Sequence, residues 1–395
     1  MIWPRPAPPC PPAAVAPLMP KYEGEARYID GEYAVLLQPV AGRGLRDVAA
    51  EHEAWLRQAL DGASELYKFV EIGENFQAYM GRFSDDLLAK IRARPEVELV
   101  DRNVVLELHA TQYNPPWGLD RVDQTNLPLD DRFNYPDSAG SGVDVYVVDT
   151  GVRITHEDFG GRAIWGVTIP RNTGDEDLNG HGTHVASTIA GSTYGLAKNA
   201  TVIAVKIMKD SGIGTVFDIT DGLAWVAQSH HNRTTKKSVA NMSLGSPIRN
   251  PIIDRSTTAL IAEGVHVVVA AGNSDKDACR ASPSRVPEAI TIGASDINDV
   301  RAYFSNWGPC VDVFAPGVNI TAAWPTSDTA INTISGTSMA SPHAAGLATI
   351  LLGLQQYTPA ELHTKVIESA TYGVLSDVDE TTRNALIYVP PALAH

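Results

Sequence analysis

The sequence predicts an α/β protein: a parallel β-sheet covered on both faces by helices, preceded by a small ferredoxin-like α+β unit. Three observations predict it. From about residue 140, near-continuous apolar runs recur, such as "VDVYVVD" (143–149) and "HVVVAAG" (266–272). A strand that faces water on one side alternates apolar and polar residues, so these unalternated runs belong to strands buried on both faces. Helical patterns separate the runs, as parallel crossover units require. Before residue 110 the order instead reads β-α-β-β-α-β, the split βαβ arrangement.

The elements follow in order. "GEYAVLLQP" (31–39) reads as a strand, and residues 44–60 space apolar side chains at helical intervals. "ELYKFVEIG" and "NFQAYMGRF" read as two more strands. "SDDLLAKIRARPEV" opens with Ser84 as an N-cap, and its helix must stop before Pro95. "VELVDRNVVLEL" closes the unit in extended form. "HATQYNPPWGLDRV", with two prolines and a glycine, reads as a linker or boundary. In the larger unit, strands are expected at 143–149, 200–208, 237–244, 266–272 and 289–295. Helices are expected at 181–191, 215–231, 251–263 and 338–354. Residues 1–20 are dense in proline. Their short, interrupted apolar run makes a poor secretion signal, so they read as a disordered leader or residual signal region. The expected segments are therefore 1–20, 21–110 and 111–395.

Composition narrows the function classes. The 395 residues are 44% hydrophobic and 19% charged, ordinary values for a globular chain. No run of 18 or more apolar residues occurs, so no membrane span is expected. The net charge of −15 argues against a phosphate-binding surface and hence a nucleic-acid partner. The chain is read as a monomer. Its three cysteines, Cys10, Cys279 and Cys310, show no C-x-x-C spacing, so a structural zinc site is not expected. One disulfide with a thiol left over, or three free thiols, both fit that count.

Chemistry converges at three places. Asp149 ends a buried strand, where a carboxylate is costly unless partnered. His181 starts a small-residue helix between Gly180 and Gly182. Ser338, in "GTSMASPH", stands where a loop becomes a helix, and Pro342 is expected in the tolerant first turn. Alone, each has a bland reading as a turn or helix cap. His184, three residues after His181, suggests a metal, but no third ligand accompanies the pair. Together, the three residues fall on one side of the inferred sheet, at the strand ends where ligands bind. A serine hydroxyl needs a base, and that base needs an orienting carboxylate.

The ordered stretches "VVDTGVRITHEDFGGRA", "LNGHGTHVAST", "VANMSLG", "VVAAGN", "VPEAITIGASD", "YFSNWGPCVDVFAPG" and "SGTSMASPHAAGLA" resemble the subtilisin-like serine proteases, most strongly the proteinase K branch. The likeness runs from about Trp117 to near residue 375. It implies a three-layer α/β/α sandwich and a broad-specificity endopeptidase acting through an acyl-enzyme. Ser338 would be the nucleophile, His181 the general base and acid, Asp149 the orienting carboxylate and Asn273 an oxyanion-hole donor. Substrate would lie along Gly212, Gly214, Ser243, Leu244, Gly245, Ala270, Ala271 and Gly272, with apolar or aromatic residues favoured at P1. Val216 stands where such enzymes often carry an aromatic, so a strong fourth-subsite preference is not implied.

The first unit resembles the inhibitor-type propeptide of the same family. It would act as an intramolecular inhibitor, with autocleavage near Ala110–Thr111. The family implies one calcium ion held by Pro287, Ala289 and Asp312, a Cys279–Cys310 disulfide, and secretion. Val185 replaces a cysteine of proteinase K, so thiol-reagent sensitivity by that route is not expected. Two other classes fit the sequence less well. An inactive peptide-binding relative is disfavoured by the complete set of Asp149, His181, Ser338 and Asn273. A G-x-S-x-G hydrolase does not fit Gly336-x-Ser338-x-Ala340, nor a serine that comes last.

Overall fold

The computed structural model describes residues 15–21, 28–40, 42–104 and 109–389. The chain divides into two compact units between residues 107 and 108. The first contains β1 (Tyr28–Leu37), α1 (Leu45–Ala59), β2 (Glu65–Ile72), β3 (Phe76–Arg82), α2 (Asp85–Arg92) and β4 (Val97–Val104). Its strands form an antiparallel sheet in the order β2-β3-β1-β4. Val35, Leu37, Tyr79 and Val100 of the sheet pack against Leu56 of α1 and Leu87 and Ile91 of α2. Ser84 Oγ accepts from Leu87 N at 3.2 Å, as its N-cap position demands. Phe76 and Met80 alternate with core-facing Tyr79 and are exposed.

The leader departs from expectation. Residues 1–14, including Cys10, lie outside the described residues. Residues 15–20 are ordered rather than disordered. Ala16 N donates to Arg92 O at 2.8 Å, and Met19 N to Val100 O at 2.9 Å. β4 is an edge strand whose unpaired backbone groups accept a partner, and Ala16 joins the core.

The expected linker is also structured. β5 (His109–Tyr113) pairs antiparallel with β6 (Arg132–Pro136), so the Ala110–Thr111 bond lies inside a ladder. α3 (Trp117–Val122) starts directly after the two prolines, with Pro116 at its N-cap. Prolines at a helix entrance punctuate the chain without unfolding it. Arg121 of α3 is fully buried and grips Asp299 through Nε–Oδ1 (2.7 Å) and Nη2–Oδ2 (2.9 Å).

The larger unit continues with β7 (Asp144–Asp149), β8 (Ala163–Thr168), α4 (His181–Ala190), β9 (Thr201–Lys206), α5 (Val216–Asn232), β10 (Ser238–Met242), α6 (Pro251–Ala262), β11 (His266–Ala270) and β12 (Ile290–Ser295). β13 (Val313–Pro316), β14 (Ile320–Ala323), β15 (Ile331–Ile334), α7 (Thr337–Leu354), α8 (Pro359–Glu368), β16 (Thr371–Tyr372) and β17 (Ala385–Leu386) complete it. Nine strands form one sheet, β16-β17-β13-β12-β11-β10-β7-β9-β8, parallel except for the β16–β17 pair. Tyr146, Val148, Val205, Met242 and Val269 face α5 and α6. α4 and α7 pack together, and α7 lies across β10 to β13. α7 is apolar all round because it is buried nearly throughout. After β7 the chain builds the β9–β8 side of the sheet, then returns to add β10 on the other side. The strand order therefore reverses beside β7, and a crevice opens at the carboxyl ends there.

Replacing Arg121 with Ala strands a buried Asp299 carboxylate. The unfolding free energy should fall by about 3–5 kcal/mol, read by urea denaturation.

Candidate active site

Asp149 ends β7 and is 1% exposed. Its Oδ1 accepts from Thr150 N at 2.7 Å, and His181 Nδ1 lies 2.8 and 2.9 Å from Oδ1 and Oδ2. With Nδ1–H donated to Asp149, the Nε2 lone pair is left free to accept a proton. His181 is the first residue of α4, and its side chain is 29% exposed. The next residue must be glycine: a Cβ on Gly182 would lie 2.1 Å from Gly151 O and 3.1 Å from Asp149 Cβ. Burial opposes a charge on His181. The charge and hydrogen bond of Asp149, with a further contribution from Asp177, outweigh it and raise the imidazole pKa above 6.5.

Ser338 is the second residue of α7. Its Oγ donates to Ser243 O at 3.0 Å, and Ser243 Oγ donates back to Ser338 O at 2.9 Å. Among the described residues Ser338 makes no hydrogen bond to His181. The reciprocal latch has a cause. Pro342 is the sixth residue of α7, beyond the first turn in which the sequence placed it. It therefore removes the N–H that would have reached Ser338 O, four residues back. Ser243 supplies the missing donor. Asn241 Nδ2 in turn donates to Ser243 Oγ (2.9 Å), and Ser341 Oγ donates to Asn241 Oδ1 (2.7 Å).

Asn273 follows β11. Its Oδ1 accepts from both Thr337 N and Thr337 Oγ1 at 2.8 Å, which leaves Nδ2 on the other side of the amide. Asn273 and Ser338 border a cavity of about 200 Å³, together with Leu244, Gly245, Ala270, Ala271 and Gly272. Among the described residues no charged side chain lines it. The amide of Asn306, which also lines it, is committed: Nδ2 donates to Ala271 O, and Oδ1 accepts from Ser274 N and Lys276 N. Ser243 touches Ser338 without lining the cavity. Gly212 and Gly214 stand apart from it, in the turn before α5.

Residues 140–385 match the subtilase family, and residues 33–109 match the peptidase inhibitor I9 family. The chain belongs to the subtilase family. It is 46% identical to cerevisin of Saccharomyces cerevisiae over 350 residues, 82% of this chain and 55% of cerevisin. It is 43% identical to subtilisin-like protease 8 of Arthroderma benhamiae over 358 residues, 84% of this chain and 72% of that protein. Among solved structures, a cold-adapted subtilisin-like serine proteinase matches with 47% identity and a TM-score of 0.66, covering 70% of this chain and 98% of that one.

Two buried charges of this subtilase escaped the sequence reading. Asp177 Oδ1 accepts from Thr150 Oγ1 (2.9 Å), Asn179 N (3.1 Å) and Gly180 N (2.9 Å). Its Oδ2 accepts from Thr183 N (2.9 Å) and Thr183 Oγ1 (2.6 Å). Lys206 Nζ donates to Thr150 O (2.8 Å), Glu176 O (2.9 Å) and Asp210 Oδ1 (2.6 Å). Nothing in the sequence separates Asp177 from its neighbours Asp175 and Glu176.

Cys279 and Cys310 form a disulfide, with Cα atoms 5.3 Å apart. Asp312 Oδ2 accepts from Thr291 N at 2.9 Å, while Oδ1 lies 3.2 Å from His363 Nε2 and 3.5 Å from Arg383 Nη1. Among the described residues no three His, Cys, Asp or Glu side chains form a metal-binding group. No helix among them is long and apolar enough to cross a membrane.

Ser243→Ala strips the Ser338 carbonyl of its donor. Stability should fall by about 1–3 kcal/mol, seen as a lower urea midpoint at unchanged m-value.

Proposed function

We propose that the chain is a serine endopeptidase made as a self-inhibited zymogen. The observation that carries this reading is the Asp149–His181 pair at 2.8 Å, with the imidazole Nε2 left free at a sheet edge where Ser338 begins a helix. Asp149 holds the imidazole in the tautomer that can accept a proton. Substrate binding turns Ser338 Oγ from the Ser243 carbonyl to His181, a bond that often tightens only in the substrate complex. The hydroxyl then attacks the scissile carbonyl and His181 takes its proton. Asn273 Nδ2 and the Ser338 backbone N–H, at a helix start, stabilise the oxyanion. His181 returns the proton to the leaving amine, and water hydrolyses the acyl-enzyme by the same route.

The cavity favours apolar or aromatic P1 side chains, because it offers no countercharge and the Asn306 amide is already paired. Polypeptides are the substrates. The first unit, of inhibitor I9 type, serves as the intramolecular inhibitor until cleavage near Ala110–Thr111. That bond sits in the β5–β6 ladder, so cleavage must precede or open the pairing. The disulfide suits an oxidising, extracellular location.

Calcium belongs to the proposal as a structural ion. The donor set of Pro287 O, Ala289 O and the Asp312 carboxylate is all hard oxygen, which suits it. The ion would brace the loop entering β12. Arg383, already beside Asp312, competes for the same carboxylate.

A fluorophosphonate probe tests the reading. It should label Ser338 and lose that label in Ser338→Ala, which should also retain its first ~110 residues because the acyl-enzyme cannot form. A folded, processed wild type that resists labelling would overturn the proposal. The pH profile is a second check. Protonated His181 cannot act as base, and Asp149 raises its pKa. The acid limb of kcat/KM should therefore have its midpoint above 6.5, with activity rising as pH increases through it.

A further inference from the structure

We propose that Asp177 is a positioning residue of the catalytic triad, one buried carboxylate that holds Asp149 and His181 in register with each other. The inference rests on the peptidase reading and deepens it.

Asp177 is 4% exposed and accepts five hydrogen bonds, one from Thr150, next to Asp149, and four from residues within two positions of His181. Gly180 N and Thr183 N flank His181 in the first turn of α4. Fixing them fixes where the imidazole leaves the helix. Thr150 follows Asp149, and its N–H donates to the Asp149 carboxylate. Asp177 holds the same threonine by its hydroxyl, and that hydroxyl also accepts from Gly182 N at 3.0 Å. Thr150 is thus tied to Asp149, to α4 and to Asp177. Its carbonyl is held from the far side by Lys206, which also grips Glu176 O, next to Asp177. Lys206 lies in register with Asp149 on the neighbouring parallel strand. The cation and the carboxylate therefore clamp Thr150 from opposite ends.

A helix cap alone would need only the bonds to α4. The Thr150 arm is the part that a cap does not explain. The charged groups around this network are Asp149 from β7, Lys206 from β9 with Asp210 after it, and His181 from α4. His184, also on α4, is held neutral by burial, with its pKa pushed down to about 4.

The test compares Asp177→Asn and Thr150→Val with the wild type, each as kcat per fluorophosphonate-titrated site. The amide cannot accept at both ends and carries no charge. Asp177→Asn should lower kcat about 100-fold, with KM changed by less than about threefold. Its acid limb should move to lower pH, because a negative charge favouring the imidazolium is gone. Thr150→Val keeps that charge and removes the hydroxyl that ties the residue after Asp149 to Asp177 and to Gly182 N. It should also lower kcat, while its acid limb stays nearer the wild-type position. It remains informative should Asp177→Asn fail to fold. Wild-type kcat and an unmoved acid limb in Asp177→Asn, with only a lower Tm, would reduce Asp177 to a helix cap. Wild-type kcat in Thr150→Val would likewise overturn the proposal. A wild type that takes no label defeats the peptidase reading itself, before either variant is compared.

Discussion

Asp149 is a carboxylate at the carboxyl end of a strand buried in all but its first residue, and its neighbours are arranged around that fact. An unpartnered carboxylate there would lose several kcal/mol of hydration. Its partners come from two directions. Thr150 N reaches back along the chain, and His181 Nδ1 arrives from α4. The second contact dictates where α4 begins, because His181 must be its first residue. It also excludes a side chain at position 182, where any Cβ would collide with Gly151 O. The parallel registers of β9, β7, β10 and β11 put Lys206, Asp149, Met242 and Ala270 at one edge of the sheet. Ser243 directly follows one of those ends, and Asn273 lies three residues after another. One buried charge at a sheet edge thus fixes much of the site.

The nucleophile side rests on a second constraint, the absent N–H of Pro342. A buried helix that opens with an unsatisfied carbonyl is unstable unless another donor arrives. Ser243 Oγ is that donor, and it lies on the loop that forms one wall of the cleft. The consequence reaches function: the start of α7 cannot shift against the end of β10 without breaking two bonds at Ser338. Ser341 and Asn241, both buried, extend this tie into the core. Ser341 therefore helps to hold the nucleophile.

Most of the sheet was legible because its strands are unalternated Val/Ile runs, and no other element reads that way. β8 was missed for the converse reason. "AIWGVT" is an edge strand, half-exposed over most of its length, with a glycine in its middle. β13 is four residues ended by proline, too short to show a period. α8 was readable in principle: Thr358 and Glu361 form a capping box ahead of its apolar positions. Of the linker-or-boundary reading, the linker alternative failed because prolines mark boundaries of local geometry, and here they introduce α3. At the site, Asp149, His181 and Ser338 stood out as polar residues set against apolar or small-residue contexts. Asp177 did not. In "GDEDLNG" it is one of three acidic residues, and only the fold shows which of them is turned inward to meet five donors.

The cavity wall across from the Leu244–Pro247 segment raises a different problem, since it is a loop. Ala281, Ser282 and Ser284 line the cavity from a stretch without regular structure. Specificity loops vary and move unless a scaffold holds them. This one is held at three points. Ser246 and Ser282 exchange backbone bonds at 2.7 and 3.2 Å, which joins the two walls. Asn250 N, at the entrance of α6, donates to Ser282 Oγ at 2.8 Å. The Cys279–Cys310 bond closes a 31-residue separation just before the wall. In the chain-entropy account, a loop of that length contributes about 3–4 kcal/mol. A single covalent link placed there restrains a segment that the sheet cannot reach. The pocket's shape can then be as rigid as the strands that lead into Ser243 and Asn273, although most of its lining is loop.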